Sequence, residues 1–484
     1  MADPERHLIV VSNRLPIAVA TTDEGRQLVP SPGGLVTALS PVLRERGGHW
    51  IGWPGSTEHP PSAAELTEVE QQLGYRLHAV PLSADELDGY YHGFANEVLW
   101  PLFHDFIGRC NFEPSYWPAY RAVNRKFAEQ IAAVSTADDY VWIHDYQLVL
   151  VAQELAALGV ERELGYFLHI PFPSPDMFLK MPWRQQVLEG LLEYDLIGFQ
   201  TPRDQRNFLD CVRQRIPNLR IEDAGQSRTR VRAADGRSLL VGAFPISIDY
   251  DDFLQRSVEN SVSEIVARVR ANMPSRTIIL GLDRLDYTKG IPQRLLALGN
   301  ALERYPELHR RVSLLQVVIP SRTRVDDYRQ LKDEIDRLVG KINGAHAKAG
   351  WTPIHYLFRR LESTELLAYY RVSEVALITP LKDGMNLVSK EYCACSLEGN
   401  GVLILSENAG ASAQMADGAL IVNPFDIEAV ADAIHQAVTM AEAERRPRMQ
   451  QLREVIRQQD VHRWVDDYLG AASQARRRVQ LTGS

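Results

Sequence analysis

Cysteine is scarce in this chain of 484 residues: Cys110, Cys211, Cys393 and Cys395 are the only four. They form no Cys-x-x-Cys pair and no Cys/His spacing of the zinc type. That excludes a disulfide-framed scaffold and a cysteine metal centre, and it points to a reducing compartment. Cys393 and Cys395 fall in a predicted helix, where an i, i+2 spacing puts them on different faces and suits neither a disulfide nor a shared metal. Long apolar runs are also lacking. The run 8–11 is far too short to span a bilayer or to serve as a secretory core, and residues 1–6 carry acid, so the expectation is a cytoplasmic protein with no membrane contact. Basic residues are outnumbered, 53 Lys and Arg against 62 Asp and Glu, and the net charge of −9 argues against non-specific nucleic-acid binding. No Gly-x-Gly-x-x-Gly, Walker loop, His-Glu-x-x-His or Ser/His/Asp order is present. A nicotinamide-dependent oxidoreductase would therefore lack its glycine fingerprint. No internal repeat stands out.

What is present is an ordinary globular composition, 45% hydrophobic and 24% charged, in a chain long enough for two or three domains. Apolar strand patterns alternate with amphipathic helical ones in two series. The first places strands at 7–12, 140–144, 165–169 and 196–199, with helices at 120–134 and 182–193. The second places strands at 277–282, 314–319, 354–358, 375–379 and 402–405. Long apolar strands separated by helices mean parallel sheets covered on both faces. The expected fold is therefore α/β, two Rossmann-like doubly wound parallel-sheet domains facing across a cleft. The series change near 242–249, after a hairpin pattern at 229–241 with its turn at Asp235-Gly236. This gives an N-terminal domain over 1–245 and a C-terminal domain over 246–460. The last helical pattern, 461–478 within the tail 461–484, can complete either lobe.

Chemistry concentrates where strands end. Residues 380–391 follow a buried strand, turn at Asp383-Gly384 and open a helix at Asn386. The backbone N–H groups of Met385, Asn386, Leu387 and Val388 are then aimed past the strand end, where anions and hydroxyl-rich ligands are attracted. Asp383 can accept from sugar hydroxyls and Glu391 from a ribose diol. The alternative is a capped α/β helix with solvated charges. Residues 283–290 repeat the arrangement: Arg284 and Lys289 lie after one strand and before a helix, two cations suited to a pyrophosphate. An Arg284–Asp286 surface pair is the other reading. Arg322 follows the strand 314–319, and Arg14 follows the opening strand. Each suits either a phosphate contact or a solvated loop. His144-Asp145 and His169 end two strands of the first lobe, where Asp145 could orient a hydroxyl and His169 could contact a sugar. A capping Asp and a core His are the alternatives. Gly33 and Gly34 open a helix and allow close backbone approach, though such a pair is as often a simple turn. Trp53, Tyr91 and Trp100 add aromatic faces that serve a core as readily as a sugar. Asp249-Tyr250-Asp251 matches a metal-binding Asp-x-Asp pattern, but it sits in the expected linker and is discounted.

These motifs, taken in order, resemble the trehalose-6-phosphate synthase family, retaining glycosyltransferases of the two-lobed GT-B fold. The resemblance is carried by residues 12–16, 33–35, 53–55, 90–101, 142–146, 169–173, 283–290, 321–322 and 383–391, across almost the whole chain. It implies that Arg284 and Lys289 hold a donor diphosphate with Gly33 and Gly34 close by. Glu391 would bind the ribose and the backbone of Asn386, Leu387 and Val388 the phosphate region. Asp383 and His169 would contact the transferred glucose. Arg14, Tyr91, Trp100 and Arg322 would grip the phosphate of glucose 6-phosphate, with Asp145 and Trp53 placing its sugar. The catalytic set is then Asp145, His169, Arg284, Lys289 and Asp383.

The implied reaction moves glucose from a nucleoside-diphosphate glucose to glucose 6-phosphate with retention, giving α,α-trehalose 6-phosphate. The nucleobase, whether uridine, adenosine or guanosine, is left open. No metal ligand set and no cofactor are expected, although Mg2+ could stimulate. The small-molecule substrates are the expected partners, together with a homo-oligomeric assembly. The chain stops soon after the second lobe, so a separate trehalose-6-phosphate phosphatase is expected downstream. Rival readings are a same-family transferase with another phosphorylated acceptor and a non-catalytic regulatory subunit of a synthase complex.

Overall fold

The computed structural model describes residues 7–22, 25–30, 34–233, 236–273, 277–321 and 326–482. Gly33, Arg322 and Asp235, singled out above, lie outside the described residues. The chain forms two compact units. One consists of residues 1–245 with 464–484, the other of residues 246–463.

The first unit is built on a nine-stranded sheet. Its order is Arg76–Ala79, His49–Trp53, Leu8–Arg14, Tyr140–His144, Glu163–Phe167, Leu196–Phe199, Ser238–Ala243, Arg228–Arg232 and Arg220–Gly225. Seven strands are mutually parallel, and the last two are added through antiparallel pairing, each to its neighbour. Leu8, Ile9, Val10 and Val11 are all buried, as a strand covered on both faces requires. The hairpin pattern is present as Arg228–Arg232 against Ser238–Ala243. Arg220–Gly225 is a third strand that the hydrophobic pattern does not reveal, because its alternating polar residues carry no apolar face. The tail helix, Val461–Thr482, packs on this unit: Tyr468 stacks on Trp142 at 4.1 Å and donates to Tyr166 O at 3.2 Å.

The second unit holds a six-stranded, all-parallel sheet in the order Ile354–Phe358, Val312–Ile319, Thr277–Arg284, Val375–Ile378, Val402–Ser406, Leu420–Val422. Counted along the chain, this order is 3-2-1-4-5-6, and the first six strands of the other unit follow the same order. Both sheets are thus doubly wound Rossmann-like sheets, the α/β architecture of the GT-B fold. In each, the order reverses between the first strand and the fourth. Chains leaving those two strand ends diverge to opposite faces and leave a crevice for ligands. Asp249 caps the helix Tyr250–Ser257 by accepting from Asp252 N at 3.0 Å, which accounts for the Asp-x-Asp pattern structurally. Among the described residues no group of three or more His, Cys, Asp or Glu could hold a metal ion, and no helix is long and apolar enough to cross a membrane.

Candidate functional site

In the second unit the reversal point lies between Thr277–Arg284 and Val375–Ile378, and the residues of 283–290 and 380–391 meet there. Arg284 is the last residue of its strand rather than the first beyond it, since pairing with Val312–Ile319 continues to Arg284↔Ile319. Its side chain is exposed and has no hydrogen bond or ion pair to another described residue. Asp286 is buried and accepts from Thr288 N at 3.0 Å and Thr288 Oγ1 at 2.9 Å, capping the following turn. Lys289 does not stand as a second open cation. Its ammonium donates to Asp383 Oδ2 at 2.7 Å in a largely buried pair, so the two motifs are tied to each other.

Asp383 is held from several sides. Asn386 Nδ2 donates to its Oδ2 at 3.1 Å, and its backbone is bracketed by Asp383 N→Asn408 O at 3.2 Å and Gly410 N→Asp383 O at 3.1 Å. Gly410 is required by close approach: a Cβ there would sit 1.8 Å from Gly384 O. Asn386, at φ +82°, is the cap of the helix Leu387–Cys395 and accepts from Ser389 N at 3.1 Å. The Leu387 and Val388 N–H groups of the first turn have no carbonyl a turn earlier to bond, as at every helix start. Glu391 accepts from Tyr370 Oη at 2.5 Å. Burial raises its carboxyl above the usual range, and the Tyr370 hydrogen bond opposes that shift.

Two buried cations beneath this site carry no signal in the sequence. Arg294, fully buried, donates to Asp283 Oδ2 at 2.5 Å and to Thr379 Oγ1 at 3.3 Å, and it reaches Gln316 Oε1 and Lys289 O at 3.4 Å each. It joins the ends of both strands that flank the reversal point. Lys390, beside Glu391, donates to Ile246 O and Gln414 Oε1 at 2.8 Å each, and burial lowers its ammonium to about 7. Each lies on a helix face whose partners are distant along the chain, so no local pattern marks it.

In the first unit the reversal point lies between Leu8–Arg14 and Tyr140–His144. Ser12-Asn13-Arg14 belongs to the strand and does not follow it, because after a register shift Arg14 still pairs with Trp53. The Arg14 guanidinium lies 5.1 Å over the Trp53 ring. That ring is buried, so Trp53 supports Arg14 rather than presenting an open face. Asp145 is the unusual residue of this end, with φ +76° and ψ 167°. A non-glycine residue held there costs on the order of 1–3 kcal/mol, and such strain collects at functional positions. The neighbours impose it: Asp145 N donates to Phe167 O at 2.8 Å, Asp145 O accepts from Tyr166 Oη at 3.1 Å, and Oδ1 accepts from His169 N at 3.3 Å. His169 Nε2 lies 3.1 Å from His144 Nδ1, one ring donating to the other. Burial lowers His169 to about 3 and His144 well below the usual imidazole range, so both are neutral.

Residues 90–101 are not an ordinary helix. Asp88–Leu99 is π-helical and leads into Trp100–Phe103. Tyr91 is half-buried on it, edge-on to His92, whereas Trp100 is buried between His104 and Tyr146 at 4.2 and 5.6 Å. Gly34 opens the helix Gly34–Arg46. The structure therefore gathers Arg284, Lys289, Asp383, Asn386, Leu387, Val388 and Glu391 in one unit. It gathers Arg14, Trp53, Asp145 and His169 in the other, with Tyr91 and Trp100 joined to them through Tyr146 and Asn96.

The description of glycosyltransferase family 20 matches residues 6–474. The chain is 42% identical to a bifunctional trehalose-6-phosphate synthase/phosphatase from Thermoproteus tenax, over 98% of this chain and 65% of that relative. It is 41% identical to a trehalose-6-phosphate synthase from Mycobacterium marinum, over 97% of this chain and 94% of the relative. A crystal structure of a UDP-forming α,α-trehalose-phosphate synthase from Burkholderia xenovorans in complex with glucose-6-phosphate superposes with a TM-score of 0.86 at 34% identity. It covers 96% of this chain and 100% of that one.

Proposed function

The chain belongs to glycosyltransferase family 20, and on that premise we propose that it is an α,α-trehalose-phosphate synthase. It transfers glucose from a nucleoside-diphosphate glucose to glucose 6-phosphate with retention. The observation that carries the donor half is the meeting, at one reversal point, of the open Arg284 cation, the Lys289–Asp383 pair, the Leu387–Cys395 helix start and the Glu391 carboxylate. A diphosphate needs the cations and the helix start, and a ribose diol and a sugar need the two acceptors.

In this reading Arg284 and Lys289 take the diphosphate, with the N–H groups of Leu387 and Val388. Glu391 accepts from the ribose, while Asp383 and His169 bond hydroxyls of the glucose. Arg14, Tyr91, Trp100 and Arg322 receive the acceptor phosphate, Asp145 places the acceptor sugar, and Trp53 acts through Arg14. The acceptor's anomeric oxygen bonds to C1 of the donor glucose as the bond from C1 to the phosphate oxygen breaks. The hydroxyl proton passes to that leaving phosphate oxygen on the same face. The protein places the two sugars and stabilises the diphosphate as its charge grows. His169, neutral because it is buried, acts as a hydrogen-bond partner and not as an acid.

The same proposal holds that the protein is a cytoplasmic homo-oligomer. No resident cofactor is required, Mg2+ would stimulate only by pairing with the diphosphate in solution, and a separate phosphatase removes the product's phosphate. Nucleoside diphosphate release from UDP-, ADP- and GDP-glucose, each with and without glucose 6-phosphate, tests the central claim. Release that requires glucose 6-phosphate and yields trehalose 6-phosphate is the expected result. No release with any donor, from folded protein, overturns it in favour of a regulatory subunit or another acceptor.

A further inference from the structure

The π-helix Asp88–Leu99 is twelve residues long. Most π-helical segments are single-turn bulges, so a long one needs partners that hold its register. On one side Asn111 and the helix Tyr116–Val134 supply them. Glu97 Oε2 accepts from Tyr116 Oη and Asn111 Nδ2, each at 2.8 Å, and Gly93 lies so close to Tyr116 that a Cβ would meet its ring at 2.5 Å. On the other side the link is Asn96. Its Nδ2 donates to Tyr91 O at 2.7 Å, and its Oδ1 accepts from Tyr146 Oη at 3.0 Å. Tyr146 directly follows the strained Asp145. Its carbonyl accepts from Tyr120 Oη at 2.7 Å, and its ring faces Trp100 at 5.6 Å.

We infer that Asn96 is a positioning residue, joining the Tyr91 backbone to Tyr146 so that the phosphate-binding end and the sugar-binding end of the acceptor site are held as one unit. The inference rests on the reading of the first unit as the acceptor site. The Asn96 side chain bonds both the π-helix backbone and the residue beside Asp145. Its amide matches this task because it donates and accepts at once. Replacing it frees Tyr91 from the register that Asp145 shares, so acceptor binding should weaken while donor binding is untouched.

The test is steady-state kinetics of the full chain with UDP-glucose and glucose 6-phosphate for Asn96→Ala, Tyr146→Phe and the double variant. Each single variant should raise the KM for glucose 6-phosphate about tenfold, the scale of one lost bridging hydrogen bond, and leave the KM for UDP-glucose within about twofold. The double variant should be no worse than either single one, because both cut the same bridge. Tyr146→Phe keeps the ring and serves as the readout where Asn96→Ala does not fold. An unchanged KM for glucose 6-phosphate in folded variants overturns the inference. So do effects that multiply, or a fall in turnover with both KM values moving together. Absence of glucose 6-phosphate-dependent release from the unaltered chain would instead overturn the acceptor reading on which the inference stands.

Discussion

Arg294→Met removes a cation that no solvent can replace. Arg294 is fully buried, and Asp283, its partner at 2.5 Å, is nearly so. The substitution keeps the apolar stem but leaves the Asp283 carboxylate without its guanidinium, and Gln316 Oε1 and Lys289 O without that donor. Breaking a buried pair from one side costs about 3–5 kcal/mol. At about 2–4 °C per kcal/mol for a unit of this size, the melting temperature should fall on the order of 10 °C. The pH dependence has a definite sign. Burial raises the Asp283 carboxyl, and Arg294 opposes that rise, with Lys289 helping and Asp383 acting the other way. Without Arg294 the folded-state value climbs further above the unfolded one. A group raised in this way stabilises the fold below its unfolded pKa, and that contribution is lost as pH rises through the folded pKa. The deficit of the variant relative to the unaltered chain should therefore be larger at pH 8 than at pH 5. Asp283→Asn in the same background should recover much of it. Thermal melts at the two pH values decide the matter. A deficit under about 1 kcal/mol, or one independent of pH, would refute the claim that this pair organises the strand ends.

Two further outcomes follow from the same geometry. Arg284→Ala should lower turnover by about 2–4 kcal/mol of transition-state stabilisation, or roughly 30- to 1,000-fold. Its melting temperature should hold, because the side chain is exposed and has no described partner; turnover kinetics beside a melt would expose any disagreement. His169 is held to about 3 by burial, so no imidazole limb should appear in the pH–rate profile between pH 5 and 8. A limb near pH 6 from the substrate's own phosphate should survive in His169→Gln, and a limb that vanishes in that variant would contradict the neutral assignment.

Much of the second unit's candidate site is legible in the amino-acid sequence, for a local reason. Strand, turn and helix start lie within the seventeen consecutive residues 375–391, so hydrophobic patterning and turn chemistry place Asp383, Asn386 and Glu391 together without long-range information. The same holds for Arg284 and Lys289. The first unit is harder to read. Tyr91 and Trp100 ride on a π-helix, and residues 88–99 carry no pattern that separates an i→i+5 register from an α-helical one. What selects it is Gly93 against Tyr116, Glu97 against Asn111, and Asn96 against Tyr146, all contacts made after folding.

Hydrophobic patterning alone dictates two series of buried parallel strands, and it leaves the polar residues with binding chemistry at their ends. Burial on both faces leaves no other use for the apolar runs, and the strand ends are where polar groups are tolerated. Which ends become neighbours is a matter of tertiary pairing. The order 3-2-1-4-5-6 sets the strand that ends in Arg284 beside the strand that leads to Asp383, and the strand that ends in Arg14 beside the strand that leads to Asp145, and that order depends on pairing between segments about a hundred residues apart. Tertiary contact also turned Lys289 toward Asp383, buried Arg294 beneath them, forced Asp145 to positive φ and returned the tail helix to the first unit. Each of these is set by a partner distant along the chain, which local periodicity cannot encode.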